Sequence, residues 1–258
     1  MPPTPARRLW GAAFALAFLP LAGAADVVVG HFGDSTCITS YLPREQRVDV
    51  LLNAQLAARY KDQRVNSRNL AAGGDTVRRF LDSGRYRADV VDKIPHLEIA
   101  LIRYGHNDRK TTPPGEFKKH LAELCDRLSA DYPGVHLVLE TNTFLPRASK
   151  DDFDACWDAV RELARERRYP LVDIHARRKA AARAGLSDQC IRNQKLAMEQ
   201  FGVRVLDASR DAEMKDVPGW FSDAHPNAAT VAIMADEEFQ TLARTWPERL
   251  PVARTAPP

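Results

Sequence analysis

Residues 31–40, HFGDSTCITS, follow directly on the apolar run DVVVG at 26–30. Gly33, Asp34 and Ser35 therefore stand where an apolar strand ends and a helix can open. A strand, a glycine turn and a small hydroxyl residue can expose a nucleophile at the carboxyl edge of a sheet. The same residues can also form an ordinary strand-to-helix loop, in which Ser35 or Thr36 only caps the helix. A serine hydroxyl is a weak nucleophile. It needs a base, a group that orients the base, and donors for the oxyanion that forms on the attacked carbonyl.

Each of these parts has a candidate elsewhere in the chain. His225, in WFSDAHPN (220–227), can act as the base. Asp223, Ser222 or a backbone carbonyl can orient its second ring nitrogen. NLAAGGDT (69–76) offers the N–H of Gly74, which no Cβ shields, and RYGHND (103–108) offers the side-chain amide of Asn107. The N–H of Ser35, at the head of a helix, is a third donor. His106 stands beside Asn107, where it can touch substrate. Trp220 and Phe221 can form a wall against an acyl group or a sugar. The competing readings make Gly73-Gly74 plain turn residues and Asn107 a loop brace, while Asp34 braces its turn in either case. His31, His106 and His175 read as hydrogen-bonded or exposed histidines rather than metal ligands, so neither a metal nor another cofactor is implied.

To converge, these residues must share one edge of one sheet. Apolar runs of strand length lie at 26–32, 63–71, 96–105, 135–142 and 170–175, and segments 44–61, 115–132 and 151–167 carry apolar residues near helical spacing. Five strands alternating with helices predict an α/β fold, with a mainly parallel sheet covered on both faces. Such sheets bind ligands beyond the carboxyl ends of their strands. The polar clusters fall after the first, second and third strands and just ahead of a last helix at 226–245. Residues 176–218 break the alternation and read as inserted helices with a short strand at 203–209. The domain spans 26–246, and 247–258 reads as a loose tail.

The bulk properties exclude other classes. A net charge of +3 over 258 residues, with no basic block and no interleaving of basic and aromatic residues, argues against nucleic acid as a partner. Residues 1–25 carry Arg7 and Arg8, then an apolar run ending in Ala22-Gly23-Ala24, which predicts a cleaved signal peptide. The run is too short, and too interrupted by Pro20, for an anchor helix, so no stable membrane insertion follows cleavage. Export to the periplasm or beyond allows disulfides among Cys37, Cys125, Cys156 and Cys190. Sequence leaves three connectivities open; Cys125 and Cys156, on successive helices, are the first choice of pair. Oligomeric state is not legible.

The order GDST (33–36), NLAAGGDT (69–76), GHND (105–108) and DAHPN (223–227) resembles the block pattern of the SGNH (GDSL) hydrolase superfamily, over roughly residues 26–240. The resemblance implies a flavodoxin-like three-layer α/β/α sandwich, Ser35 as nucleophile, an oxyanion hole of Ser35, Gly74 and Asn107, and His225 as base. One departure stands out. The family's acid lies three residues before the histidine, where this chain has Ser222, and Asp223 lies only two before. The family includes members in which a main-chain carbonyl replaces the acid. GHND is similar to the carbohydrate esterases of this superfamily, rhamnogalacturonan acetylesterases among them. That implies an exported serine esterase removing O-acetyl groups from a glycan or another O-acylated molecule, and the Arg-rich stretch 176–183 suits a polar or anionic substrate. A lipase, arylesterase or thioesterase and a polysaccharide O-acetyltransferase are the alternatives. A dinuclear phosphoesterase is not supported, because Cys37 stands where its second Asp is needed and no GHxH occurs.

Overall fold

The computed structural model describes residues 25–142, 144 and 153–252. The expected signal peptide lies outside the described residues except for Ala25, as does the tail beyond residue 252. Along the chain run β1 (Ala25–Gly33), α1 (Ser35–Ile38), α2 (Val48–Arg59), β2 (Gln63–Asn69), α3 (Val77–Asp82), a π-helical turn at Tyr86–Val91, β3 (Ile99–Arg103), α4 (Pro114–Asp131), β4 (His136–Thr141), α5 (Asp154–Arg167), β5 (Leu171–Asp173), α6 (Ile174–Arg183), α7 (Gln194–Phe201), α8 (Asp211–Met214) and α9 (Ala228–Thr245).

All five strands are parallel, in the order β2-β1-β3-β4-β5. Both faces of the sheet are covered, which is why the strands read as apolar runs rather than alternations. Val28, Phe32, Ala100, Ile102, Leu137 and Leu139 pack with Phe80, Phe117, Leu124 and Leu163 of α3, α4 and α5. Val27, Val29, Ile99, Leu101 and Val138 face Leu52, Leu56, Val231 and Met234 of α2 and α9. This is the expected three-layer α/β/α sandwich.

The strand order reverses at β1, which places the ligand crevice beyond the ends of β1 and β3. The two strand ends approach closely there. A Cβ on Gly33 would stand 2.5 Å from the Arg103 carbonyl oxygen and 2.6 Å from the Cys37 Cβ. Gly105 has a φ of 119°, and a Cβ on it would meet the Trp157 ring at 2.5 Å. The glycines of GDST and GHND are therefore demanded by packing as well as by any chemistry.

Several expectations need correction. The strand at 170–175 stops at Asp173, whose carboxylate accepts the Ala176 N–H and caps α6, so residues 176–183 continue the sheet's own alternation. The insertion is shorter than expected, and residues 203–209 form no strand. Instead Val205 enters a third apolar cluster with Ala197, Met214 and Trp220, while its carbonyl accepts from Arg192 N–H and Gln194 Nε2. The tail is not loose from Pro247: Leu250 is buried, and its N–H and carbonyl both bond the Gln63 side chain, at 2.8 and 2.9 Å. All four cysteines are free thiols. Cys156 opens α5 against the Gly105 carbonyl, whereas Cys125 adjoins Arg167 at the other end of that helix, about three turns away. The two cannot bond to each other.

His31, in β1, is fully buried, and neither ring nitrogen has a hydrogen-bond partner among the described residues. Burial, with Arg103 nearby, holds its pKa down to about 3. The unfolded chain protonates this residue near pH 6.5, so the stability it contributes is fully present above that pH and is lost as pH falls towards 3. His31→Leu is expected to flatten the pH dependence of unfolding free energy between pH 6.5 and 4 by up to about 1.4 kcal/mol per pH unit. Urea titrations across that range check this; equal slopes in variant and parent would contradict it.

Candidate active site

Ser35 opens α1 directly after β1, but it does not cap the helix. The buried Asp34 carboxylate does, accepting the Thr36 N–H at 2.9 Å and the Thr36 hydroxyl at 2.6 Å, and Asn142 past β4 donates to that same hydroxyl. The Asp34 carbonyl takes the N–H groups of Cys37 and Ile38. These bonds leave both the hydroxyl and the N–H of Ser35 uncommitted to the cap.

The Ser35 hydroxyl lies 2.8 Å from His225 Nε2, although the two residues are 190 positions apart in the chain. On the other side of the ring, Nδ1 is 2.6 Å from Asp223 Oδ1, and the same oxygen accepts the His225 backbone N–H at 2.8 Å. A carboxylate only accepts, so Nδ1 carries the ring proton and Nε2 offers its lone pair to the serine. Asp223 reaches the ring from two residues away because its side chain folds back on the intervening turn. Ser222, in the position of the family's usual acid, points elsewhere. Its hydroxyl donates to the Gly219 carbonyl at 2.8 Å and accepts from Asn193 Nδ2 at 3.2 Å.

The loop carrying His225 is held by residues that sequence reading missed. Ile191 N–H donates to the His225 carbonyl at 2.9 Å, and Asn227 bonds the carbonyls of Gln189 and Asp188. The Tyr41 hydroxyl donates to the Pro226 carbonyl at 2.8 Å, and its ring meets the His225 ring edge-on at 5.5 Å. Tyr41 and 188–191 carry no periodic or motif signal, so nothing in the sequence marked them.

The candidate oxyanion donors sit on adjoining loops. Asn107 Nδ2 donates to the Asp75 carbonyl at 3.0 Å, and Lys110 Nζ donates to Asn107 Oδ1 at 3.0 Å. An ammonium only donates and a carbonyl only accepts, so the amide cannot be turned over, and its second N–H stays uncommitted by these bonds. Gly74, exposed and with a φ of 73°, precedes that Asp75 carbonyl. Asn69, by contrast, is a brace: its amide donates to Asp49 at 3.0 Å and to the Cys37 carbonyl at 3.4 Å. Asp108 clamps the same region, accepting the N–H of Val77 at 2.9 Å and of Gly105 at 3.1 Å. Burial raises its pKa to about 6 even so.

His106 is buried beside the pair, stacked on Phe153 at 5.6 Å with its ring 5.8 Å from that of His225. Burial first, then the positive charges of His225, Lys110 and Arg109, holds it down to about 3, so it is neutral at ordinary pH. Trp220 is not a wall of the site. It is fully buried at the centre of the third cluster, with its indole N–H donating to Asp211 at 2.9 Å. The inserted helices need a core of their own, and Trp220 is its largest member. Among the described residues no three His, Cys, Asp or Glu side chains converge as metal ligands.

The fold and this constellation define an acyl hydrolase. Residues 31–233 match the GDSL-like Lipase/Acylhydrolase family, and the chain belongs to it. Solved structures agree on the fold. A protein of Parabacteroides merdae described as a GDSL-like lipase superposes with a TM-score of 0.61 at 17% identity, over 84% of this chain and 95% of that one. An acetylxylan esterase of Geobacillus stearothermophilus gives 0.56 at 16% identity, over 85% and 95%. A lipolytic G-D-S-L family protein of Veillonella parvula gives 0.56 at 17%, over 84% and 99%. No curated protein matches the chain in sequence.

The Asp223 geometry has a direct consequence for ester hydrolysis. Asp223→Ala is expected to lower kcat on p-nitrophenyl acetate by about 10⁴-fold, the scale seen when the orienting acid of such a relay is lost. Ser222→Ala, remote from the ring, should change it by less than about threefold. A loss below tenfold for Asp223→Ala would assign the orientation of His225 to the backbone.

Proposed function

We propose that the protein is an exported serine esterase that removes O-acetyl groups from a carbohydrate through an acyl-enzyme. The observation that carries this reading is the continuous relay from Ser35 Oγ through the His225 ring to Asp223, with bonds of 2.8 and 2.6 Å. In the first half-reaction His225 Nε2 takes the hydroxyl proton as Ser35 Oγ attacks the ester carbonyl. The negative oxygen that forms is met by the N–H groups of Ser35 and Gly74 and the free Asn107 amide hydrogen. Collapse expels the alcohol, which leaves with the proton held on His225. Water then repeats the sequence on the acyl-serine, releasing the acid and restoring the hydroxyl.

The carbohydrate part rests on two observations. GHND is similar to the carbohydrate esterases of the superfamily, and an acetylxylan esterase shares the fold. The exposed large apolar side chains among the described residues are Met198, Val203 and Val252, and none belongs to the four site loops. Export rests on residues 1–25 alone.

Ser35→Ala should abolish turnover of p-nitrophenyl acetate while leaving the circular dichroism and the unfolding midpoint unchanged; undiminished turnover would remove Ser35 from the mechanism. Asn107→Ala should lower kcat by about 10²–10³-fold with little change in KM. Acetate release from O-acetylated polysaccharides, beside a chain-length series of model esters, tests the substrate class. Preference for octanoyl over acetyl esters would overturn the carbohydrate assignment.

A further inference from the structure

Cations without carboxylate partners gather around the oxyanion loops. On and beside α3, Arg78 is committed to Asp82 and Glu123, and Arg85 to Asp75 and Asp89. Arg79, between them in sequence, is exposed, and its guanidinium donates at 3.1 Å to the carbonyl of Gly74. Lys110 is tethered in the same way to Asn107 Oδ1. Arg109 lies 4.0 Å over the Phe153 ring on which His106 stacks, and its buried Nε has no hydrogen-bond partner among the described residues. None of the three forms an ion pair with a described carboxylate. Two acids on the same loops are already used, Asp75 by Arg85 and Asp108 by two backbone N–H groups.

Single unpaired surface cations are ordinary. Here one is fixed to Gly74 and another to Asn107, two of the three candidate oxyanion donors, and a third to the stacking partner of His106. Such a cluster raises the local potential and selects anions. Building on the esterase reading, we infer that Arg79, Arg109 and Lys110 form a subsite for a carboxylate next to the scissile ester. The substrate is then an O-acetylated acidic glycan rather than a neutral one. A guanidinium stacked on an aromatic ring presents its N–H fork to a carboxylate at little further ordering cost, which suits Arg109 to binding one.

The test uses one polymer in two states: O-acetylated polygalacturonate with free carboxylates, and the same polymer with those carboxylates methyl-esterified. The ratio of kcat/KM, acid over methyl ester, is expected to be about tenfold at low salt, the scale of three exposed charge contacts, and to fall as sodium chloride is added. In the combined variant Arg79→Gln, Arg109→Gln, Lys110→Gln the ratio should approach one. A control lacking three exposed cations elsewhere, Arg204→Gln, Lys215→Gln, Arg249→Gln, should keep it. A wild-type ratio at or below one, an unchanged ratio in the combined variant, or an equal loss in the control would overturn the subsite. So would an equal loss on both polymers, which would mean the cations act only on the oxyanion donors. If wild type hydrolyses neither polymer nor p-nitrophenyl acetate, the esterase reading fails by itself. The subsite is then decided by calorimetric binding of unacetylated polygalacturonate, with Kd expected to rise about tenfold in the combined variant and an equal Kd overturning it.

Discussion

Arg103, the last residue of β3, is fully buried, and its guanidinium lies between the carboxylates of Glu140 on β4 and Glu238 on α9. Charges removed from water are tolerated only when paired, and losing one partner of such a group costs about 3–5 kcal/mol. The register that sets Ile102 against Leu139 brings Arg103 beside Glu140, so a one-residue slip of β3 on β4 would strand three charges. The same cluster reaches across to α9. β3 runs on into Gly105–Asp108, and α9 follows directly on His225–Asn227. Pinning α9 to the end of β3 therefore fixes the His225 loop relative to the Asn107 loop, two segments that share no chain neighbourhood.

Within that frame the loops are held by short acidic side chains. Asp34, Asp108 and Asp223 each accept a backbone N–H in or beside a site loop, and Asp173 does so at the head of α6. An aspartate used this way satisfies an amide that would otherwise lack a partner and fixes the turn that carries it. Asp223 does more, because the oxygen that holds its own turn also accepts the hydrogen bond of His225 Nδ1–H. Orientation of the ring and shape of the loop are then one interaction, which is how a chain lacking the family's usual acid position still closes the relay.

The parts legible in the sequence were those governed by local pattern. The five strands were readable because both faces are buried, which makes the runs continuous, and the four polar blocks fell at strand ends because that is where a parallel sheet opens. What escaped depended on contacts distant in sequence. Tyr41 meets Pro226 across 185 residues and looks like any loop tyrosine. α3 is short and basic, and its helicity comes from the Thr76 cap and the burial of Val77 and Phe80 rather than from periodicity. Trp220 was misread because proximity in sequence to His225 suggested proximity in space. The turn at Gly219–Asp223 sends it instead into the insertion's own core. The cysteine pairing failed for a related reason: two residues on neighbouring helices need not face one another at the same height.

Two imidazoles 5.8 Å apart raise an electrostatic question that the fold answers. In the proposed acyl transfer His225 holds a positive charge, and a second charged ring at that distance would oppose it. Asp223 supplies the compensating charge on one side. On the other, His106 is kept neutral by burial before any neighbouring charge is counted, and its stacking on Phe153 keeps water from restoring its basicity. Lys110 and Arg109 push in the same direction. Two of the cations proposed to draw an anion to the rim thereby also help to hold the second histidine uncharged.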